Sequence, residues 1–79
     1  MIMTIELADK RKQAREVYPD CDWLPGDECP IGTVVTRFQG DKAEILGESK
    51  DENLKYWWIL KDFKMNAIVY DWPPSLKKL

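Results

Sequence analysis

The chain has 79 residues, and its 44% hydrophobic and 33% charged content is that of a folding domain rather than a disordered one. So short a chain makes a single small domain, residues 1–79, with little stability to spare for strained or unpaired buried groups and little room for a complete metabolic enzyme. The formal net charge of −2, with no histidine, argues against a polyanion binder carrying a basic stripe over its whole surface.

Charge is uneven along the chain. Residues 20–53 carry a net −6 and residues 54–79 a net +3. No apolar run reaches the 18 or so residues of a membrane span, and the opening MIMTIEL lacks the basic start and long apolar stretch of a secretion signal. The expectation is a cytoplasmic protein with no membrane partner. Cys21 and Cys29 are too sparse for the disulfide framework of a small secreted domain, so free thiols are predicted. A zinc site would have to complete its ligands with Asp20, Asp22, Asp27 or Glu28, and a thiol nucleophile would lack a histidine base. No metal and no cofactor are predicted.

Residues 1–19 read as the helical segment. Met1, Met3, Ile5 and Leu7 alternate with Ile2, Thr4 and Glu6 as in a strand, but ADKRKQAREVY is made of good helix formers. Either Thr4 caps a helix running to about Tyr18, or Asp9 caps a shorter one after a strand, and Pro19 ends it in both cases. On the longer helix Leu7, Ala14 and Tyr18 fall near one stripe with Arg11 among them, and Lys10, Lys12 and Arg15 lie to the sides as a solvated basic face.

Residues 20–32 read as an irregular acidic loop with a tight turn at Pro25-Gly26, fastened by Trp23, Leu24 and Ile31. Its carboxylates lack the alternating spacing of a calcium loop.

Residues 33–72 read as an antiparallel sheet of two hairpins. TVVTRF and KAEIL flank the turn at residues 39–41, with Val34, Phe38, Ala43 and Ile45 inward and Arg37, Lys42 and Glu44 outward. The polar stretch ESKDEN leads to the second hairpin, LKYWWIL and AIVYDW, which Pro73-Pro74 ends. Residues 73–79 are left as a short tail. The predicted class is α+β: one N-terminal helix followed by a four-stranded antiparallel sheet. It lies either flat under the helix or curled into a small, partly open barrel of the SH3-like kind.

The glycines at 26, 32, 40 and 47 never approach a phosphate-loop spacing, and a pair such as Asp62 and Asp71 carries little information among 14 acids. The chain is therefore expected not to be an enzyme. The informative excess is nine aromatics, four of them tryptophan, residues that fill cores and also anchor protein interfaces. Strand alternation puts Leu54, Tyr56, Trp58 and Leu60 on an uncharged side with Ile68, Tyr70 and Trp72, predicted as the core face. Lys55, Trp57, Ile59 and Lys61 fall on the other side, with Val69 from the partner strand.

Three occupants compete for that second side: the N-terminal helix, a partner protein with Trp57 as anchor and lysines as rim, or single-stranded nucleic acid stacking on Trp57 while Lys55, Lys61 and Lys64 meet phosphates. The acidic half of the chain weighs against nucleic acid. The reading favoured is a small protein-binding module, an inhibitor or accessory subunit on a larger protein, or one that self-associates. Its predicted binding residues are Trp57, Ile59, Lys55, Lys61 and Val69 from the sheet, with Asp22, Trp23, Asp27 and Glu28 from the acidic loop.

Overall fold

A computed structural model describes residues 3–79; the strand reading of Met1 and Ile2 falls outside them. Helix α1 spans Ile5–Val17 and starts at Thr4, whose hydroxyl accepts the Leu7 N–H at 3.1 Å, which decides the capping question in favour of the longer helix. Five strands follow: β1 (Val34–Thr36), β2 (Lys42–Glu48), β3 (Trp58–Asp62), β4 (Ala67–Asp71) and β5 (Lys77–Lys78). All pairings are antiparallel, in the order β4-β3-β2-β1-β5. The class is α+β, as expected. The sheet has five strands rather than four, and it stays open rather than closing into a barrel. The extra strand comes from the tail: Pro73–Ser75 makes one turn of 3-10 helix that swings Lys77–Lys78 alongside β1 and buries Leu76 completely.

The core lies on one face of this sheet. Val35, Ala43, Ile45, Trp58, Leu60 and Leu76 form one buried cluster, and Trp23 closes it from the loop with its ring edge-on to Trp58, 5.6 Å between centroids. The Pro25-Gly26 turn forms as predicted: Asp27 N–H donates to the Leu24 carbonyl, and Gly26 sits at a φ of +86°. Helix α1 docks on this turn with the predicted stripe. Leu7 and Ala14 are buried, Leu7 lies against Gly26, and Arg11 donates to the Pro25 carbonyl at 3.0 Å and to Asp27 Oδ1 at 2.7 Å.

Several inward and outward assignments are corrected. In β1 it is Val35, opposite Ala43, that points into the core; Val34 lies on the other side, and Phe38 and Ile31 are exposed. Arg37 follows Val35 inward by the two-residue alternation, so a charge read as outward is nearly enclosed. Trp58 and Leu60 are core, as predicted, but β3 begins only at Trp58, because Glu52–Leu54 makes a 3-10 turn and Tyr56 takes a φ of +71°. The assignment of β4 is inverted. Its register sets Val69 opposite Leu60, leaving Ile68 and Tyr70 on the outer side at 57% and 42% exposure.

Candidate protein-binding face

The sheet face turned away from the core is built by β2, β3 and β4. Ile59 pairs with Tyr70 and Lys61 with Ile68, while Glu44 flanks Lys61 on β2. The register shift between Ile45 and Gly47 bulges β2 and leaves Leu46 exposed beside them. Where this face meets the acidic loop there is a groove of about 550 Å³, lined by Cys29, Ile31, Leu46, Gly47 and Ile59, with Glu28, Glu48 and Lys50 around it. The helix, docked on the Pro25-Gly26 turn, contributes nothing to this groove. An apolar strip with charges at its margins is therefore left open.

The predicted site residues divide. Ile59, Lys61 and Glu28 do come to this face or its rim. Val69 does not: it packs against the core cluster. Trp57 precedes β3 and lies half-buried with its ring against that of Trp72, 5.7 Å apart, so one side of the proposed anchor is already occupied. Lys55 holds its ammonium 5.2 Å from the centre of the Tyr56 ring. Trp23 is a core lid. Asp27 is a structural acceptor that takes the Leu24 N–H at 2.8 Å and the Arg11 guanidinium. Asp22 caps the end of the sheet by accepting the Lys78 N–H at 2.9 Å. The loop carboxylates, read as a surface for a basic partner, thus mostly fasten the loop itself.

Sequence alternation missed Leu46, Ile31, Ile68 and Tyr70. The last two could have been found by asking what Asp62 and Asp71 need. Both lie on the core side, where Arg37 Nη1 meets Asp62 Oδ2 at 2.6 Å and Arg37 Nε meets Asp71 Oδ2 at 2.6 Å. Placing these three charges together puts Ala67, Val69 and Asp71 inward and sends Ile68 and Tyr70 out. The Arg37 guanidinium is held charged first by its bond to Asp71, while the Asp62 carboxyl lies below the ordinary carboxylate range, first through the Met65 N–H and then through Arg37.

Elsewhere, a cleft of about 380 Å³ lies between the start of α1 and the end of β2, lined by Leu7, Glu48, Tyr56 and Trp58 among others. Both cysteines are unpaired. Among the described residues no three metal-ligating side chains gather, and no helix is long and apolar enough to cross a membrane. Compared with known proteins, the chain matches no protein family, no curated protein and no solved structure.

Proposed function

We propose that the chain is a small non-enzymatic protein-binding module that acts by covering a surface of a larger protein, as an inhibitor or accessory subunit would. One observation carries this reading: the sheet buries one face and leaves the other open, with Leu46, Ile68 and Tyr70 exposed around Ile59. Exposed aromatic and branched side chains set between Lys61, Glu44 and Glu28 have the apolar centre and polar margin of protein interfaces. The strand order, with a single 3-10 turn before the last strand, favours an SH3-like reading of the sheet, although fold by itself carries no function.

The test is affinity capture with the full chain from its source cell, comparing the wild type with Leu46→Glu on the open face and Lys12→Gln on the outer side of α1. A protein partner held by the wild type and by Lys12→Gln, and lost with Leu46→Glu, is the expected outcome. Equal capture by all three, or capture of nothing, would sink the proposal.

A further inference from the structure

The two edges of the sheet are finished differently. At one edge β5 is two residues long, both are lysines, and Pro73-Pro74 precede it. The acidic loop also covers it, with Lys77 Nζ donating to the Asp20 carbonyl at 2.8 Å and the Lys78 N–H bonded to Asp22. These are the devices by which sheet edges resist pairing with other chains. At the other edge β4 has none of them. Ala67–Asp71 pairs with β3 in unbroken register, contains no proline and no lysine, and has its one charge, Asp71, neutralised by Arg37.

Ladder alternation tells which backbone groups of β4 are free. The Phe63 N–H bonds the Lys42 carbonyl, so Phe63, Lys61 and Ile59 turn their backbone groups to β2, and Asp62, Leu60 and Trp58 turn theirs to β4. Ala67, Val69 and Asp71 answer those. Ile68 and Tyr70 are left with N–H and C=O pointing away from the sheet, and their side chains stand on the open face.

We infer that β4 pairs with β4 of a second copy, antiparallel about a two-fold axis through Val69, so that two five-stranded sheets become one. This deepens the reading of the open face as an interaction surface and rests on it, naming the occupant of its edge. In that register Ile68 and Tyr70 of the second copy face each other and exchange both N–H to carbonyl bonds, and by symmetry so do Tyr70 and Ile68 of the second copy. Every residue of β4 has a partner. A slip by one residue would turn the second copy's core to the opposite side of the sheet.

The side chains agree with the backbone. Across the axis one row of the joined face reads Glu44, Lys61, Ile68, then Tyr70 and Ile59 of the second copy. Its centre is apolar, its charges lie outside, and an aromatic ring meets a β-branched chain, a favourable cross-strand pair. The only charge on the strand, Asp71, faces Ala67, so no like charges meet. A five-residue edge is a small contact of the weak, transient class, and a dissociation constant on the order of 10 to 100 μM is the value to test for.

Sedimentation equilibrium of the purified chain from about 5 μM to 1 mM tests this, the range being set to bracket that constant. The wild type should pass from monomer to dimer. Tyr70→Lys, which places a lysine on the edge, should weaken the dimer at least about tenfold. Ile68→Pro deletes only an outward N–H and should abolish it while keeping a cooperative melt. If Ile68→Pro does not fold, Tyr70→Lys, with its backbone intact, decides. A wild type that stays monomeric throughout, or a dimer that both variants leave unchanged, overturns the inference. Either result leaves the capture experiment with Leu46→Glu standing, since Leu46 lies on β2, two strands from this edge.

Discussion

Arg37 occupies the position that the alternation of β1 would otherwise give to an apolar side chain, and only 10% of it is exposed. It bridges two carboxylates contributed by different strands, Asp62 from β3 and Asp71 from β4, so it fastens the second hairpin to the first. Arg37→Met leaves both acids enclosed without their cation, which is the costly way to break a buried pair. Its melting temperature should fall by at least about 10 °C in a domain of this size, read by circular dichroism. The sign of the pH dependence follows from Asp62. Its folded carboxyl titrates below the ordinary value of 3.8, held down first by the Met65 N–H and then by Arg37. The stability it contributes is therefore present above that value and is lost as pH falls below it. Urea midpoints measured between pH 7 and pH 2.5 should drop in the wild type and drop less steeply in Asp62→Asn. Cys29 makes an opposite case. Burial, aided by the nearby Glu48 charge, raises its thiol to about 11, so it is neutral at pH 8. A thiol reagent at that pH should modify Cys29 far more slowly in the folded chain than in denaturant, where both cysteines react.

At the scale of elements, β3 decides between two adjacent tryptophans. Trp58 is fully buried between Trp23 and the sheet core, whereas Trp57 is half-buried on Trp72 outside the strand. Trp58→Ala should cost about 3 to 5 kcal/mol, enough to unfold a domain of marginal stability at physiological temperature. Trp57→Ala, losing one partly covered ring pair, should cost about 1 to 2 kcal/mol and keep a cooperative thermal transition. Equal damage from the two would mean that Trp57 closes the core as fully as Trp58 does. The docking of α1 hangs on the turn beneath it. A Cβ at Gly26 would lie 2.8 Å from Leu7 Cδ2, and the φ of +86° is one that side chains rarely adopt, so Gly26→Ala is strained twice over. It should lower the melting temperature by about 5 °C or more, and the smaller partner in Leu7→Ala/Gly26→Ala should recover nothing of the backbone part.

Across the whole molecule, what could be read beforehand was what local chemistry decides. Thr4 and Pro19 bracket the helix, Pro25-Gly26 makes the turn, and Leu7, Ala14, Ala43, Ile45, Trp58 and Leu60 are inside. What escaped depends on register across strands and on charges that find each other only after folding. Arg37 looked outward because it is charged, and with it the phase of β1 slipped by one residue. Ile68 and Tyr70 looked inward because they are bulky, whereas the turn after Asp62, with Asn66 at a φ of +51°, sets Val69 against Leu60. The tail looked too short to matter because β5 is a strand only by virtue of β1, some forty positions earlier. That distance carries over to the order of folding. The pairs β2–β3 and β3–β4 join neighbours in sequence and can form early, while β1 keeps an unpaired side until Leu76 and β5 return to it, a closure that costs more chain entropy. Leu76→Ala should therefore speed unfolding far more than it slows refolding, with a φ-value below about 0.3, whereas Leu60→Ala should slow refolding with a φ-value above about 0.5. Stopped-flow kinetics would show the reverse pattern if the closing strand belonged to the nucleus. If the φ-values show late closure, the lysine-guarded edge is the last to be made, and until then β1 is as open to a neighbouring molecule as β4.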